Sequence, residues 1–155
     1  MLTARPFPVV TSLPMRSSGS GSSSNAPRPD VIVDFNCEQG LLFVSLKNIG
    51  VRSAYSVCTV FDKPLVGLKG QKCISELQLF RCVEFVPPGK EFSQFVDSVA
   101  TWFKQGRPNR YTITIRYSDR DGKHFRERIV HDLDIYKDLG YISTSGGKYG
   151  KPDAC

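Results

Sequence analysis

The chain has 155 residues, of which 40% are hydrophobic, and this is enough for one domain with its own core. Twenty-one Lys and Arg residues against 15 Asp and Glu residues give a net charge of +6, which slightly favours an anionic partner. We find no apolar run that is long enough to cross a bilayer and no signal peptide, so composition argues against a membrane protein and favours the cytoplasm.

Residues 1–29 contain no acidic residue and include a run of Ser and Gly, so we predict a flexible Pro/Ser/Gly-rich arm. An Arg- and Ser-rich start is also typical of an organellar transit peptide, although prolines interrupt the amphipathic helix that such peptides use. A small apolar cluster in this arm predicts docking on a partner protein. The candidate partner-binding residues are Phe7, Val9, Val10 and Leu13.

The predicted domain, residues 30–142, begins with three strands. Alternating apolar residues predict strands at 31–35 and 41–46, joined by a Gly-containing turn. Residues 54–61 are rich in β-branched and aromatic side chains and predict a third strand. Residues 74–85 have an ambiguous pattern, for which we predict a short helical turn followed by a strand.

A Pro-Pro-Gly turn then leads to a predicted strand at residues 91–96. Phe92 and Phe95 do not fit strict alternation in this strand, which indicates either a β-bulge or the start of a helix. Apolar residues spaced three and four apart within residues 97–105 predict one short helix.

The strongest pattern of the chain is a hairpin at residues 111–133. Every second residue from Tyr111 to Tyr117 is apolar, and an Asp- and Gly-containing turn follows before the return strand. We predict that this hairpin organises an antiparallel β-sandwich. Residues 143–155 are rich in Gly, Ser and Lys and predict a flexible C-terminal tail.

Four motifs support a more specific fold: an Asn-x-Gly strand end at residues 48–50, an FD-x-PL segment at 61–65, a Pro-Gly-Lys turn at 88–90, and a hairpin turn at 117–122. In this combination, residues 31–142 resemble immunoglobulin-like β-sandwich domains of uncharacterised bacterial proteins. The motifs are turns and strand faces, so the resemblance implies an all-β fold used in adhesion and accessory modules, and it transfers no catalytic residue.

The cysteines are odd in number and lack the spacing of a zinc site. Cys37, Cys58 and Cys82 lie in or beside apolar strand-like runs, so we predict buried thiols that behave as small hydrophobes. A disulfide is the alternative if the protein is exported. We predict no metal and no cofactor.

His124 and His131 lie seven residues apart in one predicted strand and therefore on opposite faces, where they cannot share a metal. We predict that each lies on the solvent side or at the rim. His131 beside Asp132 and Asp134 is the only group that resembles part of a hydrolase triad. Neighbouring strand residues point to opposite faces, so we predict that the protein is not an enzyme.

Basic residues crowd the hairpin, and the outer face of its two strands would present guanidinium groups suited to phosphates or acidic side chains. The candidate anion-binding residues are Arg116, Arg120, Lys123, Arg126 and Arg128. A charged outer face also keeps a strand soluble, and no aromatic stacking platform accompanies these residues. We therefore rank a solvated face first, a protein partner second and nucleic acid third.

These patterns predict a non-catalytic protein-interaction module, an accessory or structural subunit of a larger assembly that docks through its arms. The alternative prediction is nucleic-acid or polyanion binding through the basic face of the hairpin.

Overall fold

A computed structural model describes residues 26–139 of the chain. Most of this part is antiparallel β-sheet, so the prediction of an all-β protein is confirmed. Most of the predicted arm, including its candidate partner-binding residues, and the predicted C-terminal tail lie outside the described residues. The predictions for those segments stay predictions.

Strands dominate the described residues and are interrupted by short helical turns. The strands are β1 (Val31–Glu38), β2 (Leu41–Asn48), β3 (Ala54–Phe61), β4 (Val66–Gly67), β5 (Lys72–Cys73), β6 (Cys82–Val86), β7 (Glu91–Ser98), β8 (Arg110–Ser118) and β9 (His124–Asp132). The α-helices are α1 (Gln78–Arg81) and α2 (Val99–Lys104). Turns of 3-10 helix occupy Leu68–Gly70, Ile74–Glu76 and Leu133–Tyr136.

The predicted elements occur in the predicted order, but the segment after β3, which was predicted to be a loop, also contains the short strands β4 and β5. β3 has the predicted bounds, whereas β1 and β2 are longer because the polar residues at the end of each strand pair with the start of the other strand. The ambiguous segment forms a 3-10 turn, then α1, then β6, as predicted. The short helix predicted within residues 97–105 is α2, and α1 is a second helical segment, where a short helical turn was predicted.

The strands form two main sheets in which all neighbours are antiparallel. The first sheet has the order β1-β2-β7, and the second has the order β6-β3-β8-β9. β4 and β5 form a small separate pair. The predicted hairpin is β8 with β9, and its nine residue pairs run without a register shift from Arg110 and Asp132 to Ser118 and His124.

β7 pairs regularly with β2 from Glu91 to Phe95, so Phe92 and Phe95 lie on opposite faces of the strand, and a β-bulge follows directly after Phe95. Leu42 pairs with Asp97 and the next residue of β2 pairs with Phe95, so Val96 is the extra residue. The inserted residue lets Val96 and Asp97 both be buried, which strict alternation forbids. The sequence left open a bulge or a helical start; a bulge is present, but it lies at Val96 and the two phenylalanines are separated by ordinary alternation.

One buried cluster takes side chains from both main sheets and from both helices. β8 contributes Tyr111, Ile113, Ile115 and Tyr117, the alternate apolar residues seen in the sequence. Burial of each large apolar side chain stabilises a fold by roughly 1.5–3 kcal/mol, so these positions account for much of the hairpin's attachment to the core.

Asn48, at the end of β2, is buried and uses its side chain fully. Its Oδ1 accepts hydrogen bonds from the N–H groups of Asp30 (3.2 Å) and Gly50 (3.0 Å). Its Nδ2 donates to the carbonyls of Arg52 (2.7 Å) and Val86 (3.0 Å). A Cβ on Gly50 would lie 2.4 Å from the backbone nitrogen of Asp30, so only glycine fits there. The Asn-x-Gly motif therefore joins β2 of one sheet to β6 of the other.

The fold should lose stability at high pH because burial raises the pKa of Tyr111 to about 12. A tyrosine with a raised pKa in the folded state stabilises it fully below the unfolded pKa of about 10, and this contribution is lost as the pH rises towards the folded pKa. We expect the free energy of unfolding to fall by up to about 2 kcal/mol over this interval, and to fall less in Tyr111→Phe.

Chemical denaturation at a series of alkaline pH values measures this effect. Tyr55→Phe is the control, because Tyr55 lies half-buried on the outer face of the sheet and not in the core. An equal loss of stability in the wild type and in Tyr111→Phe would contradict the assignment.

Candidate functional site

The outer face of the four-stranded sheet carries three of the predicted anion-binding residues. Directly paired residues of antiparallel strands point to the same face of a sheet. Arg126 of β9 pairs with Arg116 of β8, and Arg116 pairs in turn with Cys58 of β3. Arg128 pairs with Thr114 in the adjacent row. The structure thus brings Arg116, Arg126 and Arg128 together on one surface.

These three arginines are exposed, and within residues 26–139 none of them forms an ion pair. Other basic residues do have carboxylate partners. The ion pairs are Lys47 with Glu91, Arg52 with Asp121, Lys63 with Asp62 and Arg81 with Glu76. The outer face of β8 and β9 therefore presents guanidinium donors that no described carboxylate occupies.

The direct opposition of Arg116 and Arg126 is unfavourable for the fold itself. Like charges on directly opposed residues of a sheet destabilise it, at a cost on the order of 0.2–1 kcal/mol. Fold stability alone therefore does not account for this pair. Two arginines on directly opposed residues are instead suited to bind one anion, because each guanidinium group is a planar donor that fits carboxylate or phosphate oxygens.

A depression of about 410 Å³ lies beside the arginine pair. Its polar lining consists of Ser56, Arg116, Ser118, His124 and Arg126. Ser56 lies there because its backbone has φ 49° at a bulge, where the pairing of β3 with β8 shifts. The sequence did not predict either serine as a site residue, since no pattern marks the bulge. It predicted His124 on the solvent side or at the rim, and His124 is exposed.

The remaining predicted residues, Arg120 and Lys123, lie exposed in the turn between β8 and β9. The acidic residues of this turn are engaged locally. Asp119 Oδ1 accepts hydrogen bonds from the N–H groups of Asp121 and Lys123, both at 2.9 Å. An Asp121 oxygen lies 3.6 Å from Arg52. Turn formation thus explains the aspartates, as predicted, and the turn adds basic groups at one end of the arginine face.

Cys58 and Cys82 form a disulfide, so the prediction that they are buried thiols was wrong. They are directly opposed on β3 and β6, with their Cα atoms 4.1 Å apart. The bulge at Ser56 reverses the alternation of β3, which turns Cys58 to the outer face beside the exposed Cys82. In the described residues Cys37 and Cys73 are free thiols.

His131 is half-buried and connects the edges of the two sheets. Its Nε2 lies 2.7 Å from the carbonyl oxygen of Val33, and its ring packs edge-on against Phe35 at 5.1 Å. Tyr136 donates a hydrogen bond to the carbonyl of Phe35 close by. His131 thus lies at a rim, as predicted, but its contacts hold β9 against β1 rather than facing solvent.

The aspartates beside His131 also make structural contacts. Asp132 Oδ1 accepts a hydrogen bond from the N–H of Asp134 at 3.0 Å, and Asp134 accepts one from Asn109 at 2.8 Å. These carboxylates therefore start the final 3-10 turn and do not orient the histidine. The prediction that the protein is not an enzyme stays a prediction.

Two further properties concern only the part of the chain between residues 26 and 139. No three His, Cys, Asp or Glu side chains there are close enough together to hold a metal ion. No helix there combines the length and apolar character needed to span a bilayer.

Comparison with known proteins places the chain in a family but gives no activity. No curated protein and no solved structure matches it. The model of a family described as a domain of unknown function, DUF8453, matches residues 10–137. This match covers most of the chain, from the predicted arm to the final 3-10 turn. The chain therefore belongs to the DUF8453 family.

Proposed function

We propose that the chain is a non-catalytic protein-interaction module, an accessory subunit of a larger assembly, with an immunoglobulin-like β-sandwich fold. The fold proposal is supported by two antiparallel sheets whose side chains share one buried cluster. The main interaction surface is the outer face of β8 and β9, together with the adjoining part of β3 and β6.

The exposed arginines without carboxylate partners carry this proposal. A surface that keeps Arg116 opposite Arg126, at a cost in stability, is explained by an acidic group on a partner. An acidic segment of a protein would supply that group. The alternative partner, a nucleic acid or another polyanion, would use the same arginines.

The apolar residues on the same face favour a protein over a nucleic acid. Val60, Phe85 and Val130 are exposed to 57%, 47% and 47%, and they lie on strands of the same sheet as the arginines. Arginine combined with exposed aromatic and aliphatic side chains is typical of protein interfaces. Nucleic-acid binding would instead rely on phosphate contacts whose strength falls steeply with salt.

The predicted arm remains a second contact in this proposal. Its apolar cluster overlaps the family match, which begins at residue 10 and so includes Val10 and Leu13. The disulfide bears on location, since exposed disulfides persist in oxidising compartments. It favours an exported protein over the cytoplasmic location predicted from composition.

Charge removal on the arginine face tests the function. We expect Arg116→Gln/Arg126→Gln, in the full chain, to recover its partner at least about tenfold less well, because two charge-assisted contacts are lost. The measurement is affinity capture from native extract with quantitative mass spectrometry. Lys72→Gln/Lys104→Gln is the matched control, since it removes two exposed charges on other elements.

Equal recovery by the wild type and the arginine variant would overturn the proposal for this face. Recovery that falls only when residues 1–25 are deleted would assign the contact to the predicted arm. Binding of the wild type to nucleic acid, lost steeply as salt is raised, would favour the polyanion alternative.

A further inference from the structure

We propose that the Arg116–Arg126 pair and the depression beside it form a binding site for a phosphate monoester. Its carrier is a phosphorylated side chain of the protein partner, and this identity of the carrier rests on the proposed function. The site consists of the two arginines together with Ser56, Ser118 and His124.

The charge of the site matches a phosphate monoester better than a carboxylate. Arg116 and Arg126 place two positive charges on directly opposed residues, and no described carboxylate pairs with either one. A phosphate monoester carries a charge of roughly −1.5 to −2 at neutral pH, whereas a carboxylate carries a single charge. One phosphate group therefore neutralises the pair, and one carboxylate leaves half of its charge in place.

The donors around the site also fit a tetrahedral anion. Each guanidinium group is a planar fork that can donate two parallel hydrogen bonds to a phosphate. Ser56 and His124 line the same depression and add further donors, whereas the Ser118 hydroxyl donates to the carbonyl of Tyr55 at 3.4 Å. A phosphate monoester has three non-bridging oxygens, which is enough to engage both forks and one further donor.

The volume of the depression indicates an ester rather than a bare ion. At about 410 Å³ it lies within the range of roughly 300–1,000 Å³ that is typical of small-molecule sites. The space beyond the arginines can therefore hold the group that carries the phosphate. This is the arrangement expected for a phosphorylated side chain that enters from a partner bound on the sheet face.

Repulsion between the two arginines makes the empty site unfavourable, and an anion between them relieves it. The opposed pair Arg116–Arg126 therefore lowers the stability of the fold without ligand and favours binding of an anion. Loss of one arginine should stabilise the protein without ligand and abolish its stabilisation by ligand. If the two arginines only kept the sheet face soluble, their loss would not change the stabilisation of the protein by ligand.

Binding is tested by NMR titration of the full chain with inorganic phosphate and with O-phosphoserine, at constant ionic strength. We expect saturable shifts of the backbone amides of Ser118, His124 and Arg126, and affinity for phosphoserine at least equal to that for phosphate. Arg126→Gln should weaken binding at least about tenfold, and Arg126→Lys should weaken it less, because charge is kept and the fork is lost. Lys72→Gln is the matched control.

Shifts that do not saturate, shifts that Arg126→Gln leaves unchanged, or binding of phosphate but not phosphoserine would overturn the proposal. Thermal unfolding adds an independent readout. Without anion, Arg126→Gln should raise the unfolding midpoint by about 2 °C, and phosphate should raise the midpoint of the wild type only. A lower midpoint for Arg126→Gln would contradict the role of repulsion.

The same variants separate this site from the proposed function. If phosphoserine does not bind but partner capture still requires Arg116 and Arg126, the proposed interaction face is supported and the proposed phosphate site is contradicted. If phosphoserine binds but partner capture does not require the two arginines, the phosphate site is supported and the protein-interaction function of the face is contradicted.

Discussion

Replacing Asn48 with Ala is expected to lower the free energy of unfolding by about 3 to 5 kcal/mol. The side chain is fully buried and makes four hydrogen bonds to backbone groups around the ends of both main sheets. Its removal leaves backbone donors and acceptors without partners, each at a cost of roughly 1–3 kcal/mol where water cannot replace them. Urea denaturation measures the change.

Two variants make the test of Asn48 specific. Asn48→Asp keeps the acceptor oxygen for Gly50 but loses the donor for Val86, so it should be destabilised as well. Asn36→Ala changes the same residue type at an exposed site of β1 and should alter stability by less than about 0.5 kcal/mol. A similar small effect at both asparagines would refute the structural role of the Asn-x-Gly motif.

The second large effect is expected from removal of the disulfide. Cys58→Ser/Cys82→Ser should lose about 3 kcal/mol of stability, because the bond closes a loop between residues 24 apart in sequence and so restricts the unfolded chain. β6 is an edge strand with β3 as its one partner in the sheet, so the bond is also a covalent attachment of that edge. Denaturation with and without a dithiol reductant measures the contribution.

Reductant should bring the wild type to the stability of the variant and should leave the variant unchanged. Cys37→Ser/Cys73→Ser is the matched control, because these half-buried cysteines are free thiols. It should lose less than about 1 kcal/mol and should remain sensitive to reductant. If the wild type and Cys58→Ser/Cys82→Ser unfold at the same denaturant concentration, the disulfide does not stabilise the fold.

The disulfide and the candidate site lie in one row, which links their tests. Cys58 pairs with Cys82 on one side and with Arg116 on the other. Partner capture and phosphate titration should therefore be carried out first under non-reducing conditions, so that the disulfide remains intact. Binding by Cys58→Ser/Cys82→Ser then shows whether the site needs only β8 and β9 or also a tethered β6.

Much of the fold was predictable because its signals are local. Alternating burial along β8 follows from the alternate apolar residues of Tyr111–Tyr117, and the Asp and Gly residues after them specify the turn. The positions of Arg116 and Arg126 follow from the same alternation, once the turn sets the register. For these elements the physical cause lies within a few neighbouring residues.

The remaining features depend on contacts between distant segments. The bulge at Ser56 decides which face Cys58 occupies, and so whether it can reach Cys82. Its position is set by how β3 fits against two neighbouring strands at once, which no local pattern records. The same bulge brings Ser56 to the depression beside Arg116, so both the disulfide and the full site were missed.

The sequence by itself determined the strands, the main turns and the basic face of the hairpin, because side-chain alternation and turn chemistry act over short distances. Only the tertiary structure decided that Asn48 joins the two sheets, that His131 closes the gap between β1 and β9, and that two arginines share a depression with Ser56. These pairings join residues far apart in the chain, and packing of the sheets selects them.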